Sequence, residues 1–556
     1  MSSLDLLKKT KSSSIPPLQS TRLPSVNTPI AGRATEMTSG DGGGYKFLLT
    51  QDAKIDRFLI LGSMGCSIKV GQQVSQATEE MKQIARTNGV TLVSKAIAIS
   101  QAGRAKDNNF ALMALALGAS YGNSSVKEMV KVGLPLVART GTHLLNFVSF
   151  VNAERGWGRS LKKTVANWYD LKTADQVAYQ VVKYQQRDGW SHKDVFRLVH
   201  PKTDDTAKSL TYRWVMKGAD KDTQPGGQYF SKVPSIISAF EEAKEAPTER
   251  VLDLIKEYNL SMEMLPTELK NRADIWEALL PRMGSTALIR NLNKLSSLGL
   301  AIGNSSSAEK LITSKLLNVE LLKKDRVHPM SLFIAKKVYD TGGGFGAAAL
   351  GVKTKLEWKV SKHVSEALEQ AFYLAFATIE PSGKNIMLGL DVSGSMSSHV
   401  CSGSNIRLTA REASAIMAMA TARCEPGSRM MAFSSTFMPL NISREDNFAK
   451  VLQKISGLPF AHTDMSLPML TALKNSWDVD SFVIYTDNEI NAGTHPSAAL
   501  LEYRRKTGKK EARLISVAMS LTNFSIADPK DAGMLDIAGF DSEAPKIISD
   551  FTAGRI

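Results

Sequence analysis

The sequence predicts a multidomain chain of mixed α and α/β class, in which a long array of paired helices precedes a doubly wound α/β domain. Three observations carry this prediction. From Tyr45 to about residue 360, apolar residues recur at helical spacing, in segments of about 10 to 18 residues separated by short Gly, Asn, Pro or Ser breaks. From Lys384 onward the pattern changes, and short apolar runs alternate with helical segments. The charge divides with the pattern. Of the 69 Lys plus Arg and 54 Asp plus Glu, residues 371–556 hold 18 and 19, and residues 1–370 hold 51 and 35. The formal excess of +15 therefore belongs to the helical part.

Residues 1–44 are rich in Ser, Thr, Pro and Gly with little apolar periodicity, and read as a disordered leader whose Lys8, Lys9 and Lys11 suit a solvated tail first, with contacts to nucleic acid or a targeting peptide as the alternatives. Residues 45–362 form the helical domain, with helices expected over 76–87, 92–102, 109–120, 142–153, 161–171, 175–186, 249–258 and 286–298. Stacked amphipathic helices without a long heptad run describe a HEAT-like array. No crisp internal repeat appears, and a compact bundle reads the same way. The glycine-rich stretch Thr341 to Gly351 lacks the preceding strand and following acidic residue of a dinucleotide loop, and is expected to link the two bodies. The second domain, residues 363–556, opens on a helix over 365–377. Strands follow at 386–390, 430–433, 482–485 and 512–518, and helices at 408–423, 446–455, 466–476 and 497–506.

The first of these strands ends in Asp391, Ser393 and Ser395, with Gly394 between the hydroxyls. Alternate side chains of an extended segment point the same way, and Gly394 permits the tight turn that lets three oxygens converge. Such a set suits a hard divalent cation, Mg²⁺ above all. Thr463 in AHTDMSLP and Asp487 in SFVIYTDNE add oxygens from two further loops at the carboxyl end of the sheet, where open α/β folds place their ligands. The constellation resembles the metal-ion-dependent adhesion site of von Willebrand factor A domains.

Composition narrows the function. Hydrophobic residues make up 43% and charged residues 22%, the balance of an ordinary globular protein. The three cysteines, Cys66, Cys401 and Cys424, are too scattered for a disulfide framework or a zinc site and fit a reducing compartment. No apolar run approaches the roughly 18 residues that span a bilayer, so a soluble cytoplasmic protein is expected. A basic body points to a polyanion, nucleic acid foremost.

Two stretches focus that charge. In YQQRDGWSHKDVFRLVH, Gly189 is expected to end one helix in a left-handed cap, while Ser191 and Asp194 cap the next. His192, surface-exposed, and Lys193 then stand in a first helical turn whose free N–H groups favour phosphate, with Lys183 and Arg187 on the preceding helix. In RGWGRSLKKTVANWYD, Arg159, Lys162 and Lys163 are surface cations, whereas Trp168 and Tyr169 lie at core spacing from Leu161 and Val165. No Walker loop, H-E-x-x-H or G-x-S-x-G motif appears, and a haloacid-type phosphatase would need Asp where Ser393 stands. A single ion with no evident base is poor equipment for phosphodiester hydrolysis. The expectation from these residues is a non-enzymatic protein that binds nucleic acid. The alternative is a scaffold whose metal site docks an acidic side chain of a partner.

Taken together, GWGRSLKKTVANWY, YQQRDGWSHKDVFRLVHP, IWEALLPRMGSTALIRNLNKL, DRVHPMSLFIAKKVYDTG, LDVSGSM and YTDNE resemble the Ro ribonucleoprotein family from about Phe47 to the C-terminus. The resemblance implies a ring of HEAT-like repeats, the TROVE domain, closed by a von Willebrand factor A domain. It implies small noncoding Y RNAs on the outer basic surface, single-stranded 3′ ends of misfolded RNAs in the central hole, and a role in RNA quality control. One chain completes such a ring, so a monomer suffices. His192 is carried over as the first Y-RNA contact, and Asp391, Ser393, Ser395, Thr463 and Asp487 as the metal set. AHTDM stands where the family commonly has Gly-Gly before the Thr, which removes no metal oxygen.

Overall fold

The computed structural model describes residues 23–62, 68–223, 227–352, 354–377, 379–397, 408–440, 442–458 and 462–556. The α/β domain is built on a six-stranded sheet. Numbering strands in chain order, β1 is Met37–Ser39, β2 Tyr45–Leu48, β3 Gln186–Arg187, β4 Trp190–Ser191, β5 Ile386–Asp391 and β6 Ser428–Phe433. They are followed by β7 Phe437–Pro439, β8 Ser481–Thr486, β9 Arg513–Ala518, β10 Phe524–Ser525 and β11 Met534–Ala538. The large sheet runs β11-β9-β8-β5-β6-β7, parallel except for the antiparallel edge β7. All six residues of β5 and of β8 are buried, which explains why both read as continuous apolar runs. Gly389 belongs there for a steric reason, since a Cβ would stand 2.9 Å from Ile484 Cδ1 on the neighbouring strand. The chain leaves β5 toward β6 and returns on its other side as β8, so the strand order reverses between β5 and β8 and opens a crevice at their carboxyl ends.

The expected disordered leader is corrected over its described part. Residues 23–48 are ordered and clamp the α/β domain, although the helical body lies between them in sequence. β2 pairs antiparallel with both β1 and β10, Phe47 standing opposite Ser525. Ser25 bridges Thr494, and the His495 ring nitrogen Nε2 lies 2.8 Å from the Thr28 carbonyl. The fully buried Lys46 side chain pairs with Glu489 at 2.8 Å. Apolar alternation over three or four residues is too short to announce a strand, and the partner strand is some 480 residues away. Residues 1–22 lie outside the described part, as do Cys66 and Cys401.

The helical body is a helical array, as expected, with small departures. The helix expected over 175–186 ends at Lys183, because residues 186–191 form the β3–β4 hairpin. The glycine-rich stretch is no plain linker: Gly344–Ala349 is helical, and Trp358 donates from Nε1 to the Tyr339 carbonyl at 2.7 Å. The helix Lys362–Leu374 packs back on Pro329–Tyr339, with Lys336 reaching Ser365 Oγ at 2.6 Å, and so joins the two bodies. Phe448 of the α/β domain meets both Phe333 and Phe372 edge to face at 5.1 and 5.2 Å, and one apolar core runs through both bodies. The array also closes on itself. Arg326 donates from Nε to the Gln101 carbonyl at 2.8 Å, and His328 Nε2 lies 3.1 Å from the Arg104 carbonyl and 2.8 Å from that of Phe540. First helices, last helices and α/β domain thus meet at one seam.

Candidate functional site

Two places in this framework gather chemistry. At the β5/β8 switch point, Asp391 closes β5 and is fully buried. Its Oδ1 accepts from the Ser393 N–H at 2.9 Å and its Oδ2 from the Thr486 hydroxyl at 2.7 Å. The Ser393 and Ser395 hydroxyls lie 3.1 Å apart, and the Ser395 hydroxyl also bonds Asp487, immediately after β8. Burial, then the neighbouring Asp487 carboxylate, pushes Asp391 up to about 7, and burial raises Asp487 as well. Thr463 is buried on the adjoining loop, its N–H held by Asn491 Oδ1 at 2.7 Å and its carbonyl by the N–H groups of Asn491 and Ala492.

The structure therefore brings Asp391, Ser393, Ser395 and Asp487 together and ties the Thr463 loop to the loop that follows Asp487. Two buried carboxylates facing convergent hydroxyls form an all-oxygen donor set whose charge a divalent cation would offset, so these residues fit the expected ion. Among the described residues no group of three or more His, Cys, Asp or Glu is placed to hold a metal ion. Sequence reasoning missed Thr486 and Asn491, which orient Asp391 and Thr463. Their only signal was adjacency to the metal loops.

The second place is the basic face around residues 155–200. The hairpin turn Asp188-Gly189 has φ of +48° and +79°, the left-handed pair that a two-residue turn between twisted strands requires. Gly189 thus serves a hairpin, not the helix cap expected for it. The capping box holds: the Ser191 N–H donates to Asp194 at 3.0 Å, and the Asp194 N–H to Ser191 Oγ at 3.2 Å. Lys193, Arg187, Arg159 and Lys163 are exposed and Lys162 is half-buried. Of these five, only Arg187 makes an ion pair among the described residues, with Asp188 at 3.4 Å, while Asp194 lies within electrostatic reach of Lys193. Lys183 departs from expectation, for its ammonium bonds the Tyr179 hydroxyl at 3.2 Å and lies against the rings of Tyr179 and Tyr184.

His192 requires the main correction. The expected surface contact is 2% exposed. Its Nδ1 lies 2.7 Å from the buried Tyr169 hydroxyl, and a Cβ on Gly141 would stand 2.8 Å from its Nε2. Burial holds the imidazole down at about 4 and keeps the Tyr169 phenol protonated, so the phenol donates and the ring is neutral. The first position of a helix points a side chain inward or outward according to what packs above it. Here Tyr169 supplies a partner inside, and Phe196 and Tyr212 complete the aromatic cluster. Trp168 and Tyr169 are core residues, as expected.

Comparison with known proteins gives a consistent picture. The model of the TROVE domain matches residues 38–261 and 257–342, and that of the Ro60 vWA domain residues 385–552. The chain is 35% identical to the RNA-binding protein RO60 of Deinococcus radiodurans over 537 residues, covering 96% of this chain and 98% of that one. It is 31% identical to the RNA-binding protein RO60 of Caenorhabditis elegans, covering 93% and 90%. The crystal structure of the Deinococcus radiodurans RO (RSR) protein superposes with a TM-score of 0.68 at 35% identity, covering 91% of this chain and all of that one.

Proposed function

Because the chain belongs to the Ro family and is an RNA-binding protein of that family, we propose that it holds small noncoding Y-type RNA on the exposed basic face and takes single-stranded 3′ ends into the centre of the closed array, acting in small-RNA stability and quality control. The observation that carries this is the set of exposed cations, Arg159, Lys163 and Lys193, none of which makes an ion pair among the described residues. Lys162 and Arg187 extend it. His192 acts one layer beneath, as a positioning residue for the turn that presents Lys193. Phosphate contacts of this kind release counterions, so affinity should fall steeply with salt. The triple change Arg159→Ala, Lys163→Ala, Lys193→Ala is expected to flatten the slope of log affinity against log salt for a Y-type hairpin RNA by about 3. An unchanged slope would place the RNA elsewhere.

Asp391, Ser393, Ser395, Thr463 and Asp487 would hold a divalent cation, Mg²⁺ foremost. When bound, it supplies an electrophilic point for an acidic side chain of a partner protein. Thr486 and Asn491 keep the ligand loops in place. The setting proposed is the cytoplasm, with a monomer as the working unit; no described helix is long and apolar enough to cross a membrane. A purely metal-dependent scaffold is the second reading, favoured by the buried, convergent oxygen set. Protein purified from cells with an absorbance ratio of nucleic-acid-free protein would support it over the ribonucleoprotein.

A further inference from the structure

The loop that follows Asp487 is held by a strap from the opposite end of the chain. Between β8 and the helix Pro496–Thr507 lies the stretch Glu489 to His495. Its Glu489 N–H donates to Asp487 Oδ1 at 3.0 Å, and Asn491 Oδ1 accepts from the Thr463 N–H at 2.7 Å. The Thr463 carbonyl accepts in turn from the N–H groups of Asn491 and Ala492 at 3.3 and 3.2 Å. One short stretch therefore sets the positions of two candidate cation ligands, Asp487 and Thr463.

On its other side the same stretch is gripped by residues 24–46. The Pro24 carbonyl accepts from the Thr494 hydroxyl at 2.6 Å and from the His495 N–H at 3.1 Å. The Val26 N–H donates to the Gly493 carbonyl at 3.3 Å, and the Gly44 N–H to the Ile490 carbonyl at 2.9 Å. Glu489 accepts from the Gly42 N–H at 3.0 Å and from Lys46 Nζ at 2.8 Å. An ammonium as deeply buried as that of Lys46 is costly unless paired, and here it also lies 4.0 Å from the centre of the Phe524 ring. The fit is tight, since a Cβ on Gly44 would stand 2.5 Å from the Ile490 carbonyl oxygen and 2.8 Å from its Cγ2. Past β2 the strap runs directly into the helical array. Thr50 caps the helix Gln51–Leu61, and Arg57 of that helix donates to the Thr522 and Phe524 carbonyls at 2.8 and 2.9 Å.

We propose that this strap is a positioning element for the cation site, so that cation binding and the attachment of the first helices to the α/β domain are coupled. The chain of contacts is continuous: Lys46 and Gly42 fix the Glu489 side chain, the Glu489 N–H fixes Asp487, and Asn491 fixes Thr463. Ligand loops braced in this way lose less freedom when a cation enters, which raises affinity without adding a ligand. The inference rests on the cation reading above.

The test uses the full chain, with Mn²⁺ as the probe and calorimetry at a temperature where every variant is folded. Gly44→Ala wedges the strap away from Ile490, and Thr494→Val removes the hydroxyl bond to Pro24; neither alters charge near the site. Arg33→Gln is the comparison, because Arg33 ties the strap to Asp528, away from the ligand loops. Mn²⁺ affinity should fall about tenfold in Gly44→Ala and about threefold in Thr494→Val, and stay within about twofold in Arg33→Gln. Coupling is reciprocal, so Mg²⁺ should slow hydrogen exchange of the wild-type Val26 and Gly44 amides by about fivefold or more and leave both unchanged in Asp391→Ala. Should Gly44→Ala fail to fold, Thr494→Val and the exchange rates decide. Wild-type affinity in the strap variants, an equal loss in Arg33→Gln, or strap amides indifferent to Mg²⁺ would overturn the coupling and leave the cation site standing. A wild type that takes up no Mn²⁺ would overturn the cation site and the role of the strap with it.

Discussion

The basic face and the metal crevice solve opposite electrostatic problems. On the basic face the ionised groups stay in water and the buried layer beneath them, Tyr169 and His192, is neutral. In the crevice the ionisable groups themselves are buried, and Asp391 and Asp487 raise their own pKa values by burial. The contrast matches the ligands proposed. A long polyanion can be gripped by many hydrated cations, each contributing little, whereas a small hard cation needs few oxygens taken out of water and fixed in place.

The largest effect should come from Asp391→Ala. Mg²⁺ or Mn²⁺ uptake, read by calorimetry, should be abolished, with affinity for small RNA held within about twofold. Loss of both would erase the separation between the two regions. Next is His192→Ala, which leaves the Tyr169 hydroxyl buried without its partner and opens a void. A loss of about 2–4 kcal/mol in unfolding free energy is expected, together with weaker RNA binding.

Acid should move the two regions in opposite directions. The His192 imidazole titrates near 4 in the fold and near 6.5 when exposed, so its contribution is lost as pH falls from 6.5 toward 4, by up to roughly 3 kcal/mol. Asp391 is raised from 3.8 to about 7, so without a bound cation the fold should gain stability as pH falls through that window. Mg²⁺ should flatten the Asp391 limb and leave the His192 limb in place. Denaturant titrations of the wild type, His192→Ala and Asp391→Ala across this range separate the two.

Tyr169→Phe should cost about 1–3 kcal/mol by stranding His192 Nδ1, with RNA affinity following stability. Smallest in stability is Lys193→Ala, expected within about 0.5 kcal/mol of the wild type and yet weaker for RNA. If Lys193→Ala unfolded the protein while His192→Ala did not, the assignment of surface and strut would be reversed.

Much of the fold was legible in the sequence. Gly89–Ala102, Asn109–Tyr121, Gly141–Glu154 and Ser285–Ser297 each match an expected helix within a few residues at the starting end. β5 and β8 announced themselves as apolar runs bounded by Asp391 and Asp487. The edge strands β7 and β10, by contrast, have three and two residues and carry no periodicity to read. At the candidate sites the division is similar. Asp391, Ser393 and Ser395 were visible because their spacing alone aims them together, but Thr486 became meaningful only when its hydroxyl was seen on Asp391.

Sequence alone determined the order of the longer helices and of the apolar strands β5, β6, β8 and β9, the oxygen set at the end of β5 and the basic excess of the helical part, because each depends on residues a few positions apart or on a simple count. Tertiary structure decided the rest. It placed residues 23–48 on the far domain, turned His192 inward and brought Arg326 to Gln101. Each of those outcomes depends on which surfaces pack across tens to hundreds of intervening residues. Local propensity is silent about such packing, because the burial and hydrogen bonds that select it exist only once the chain has closed.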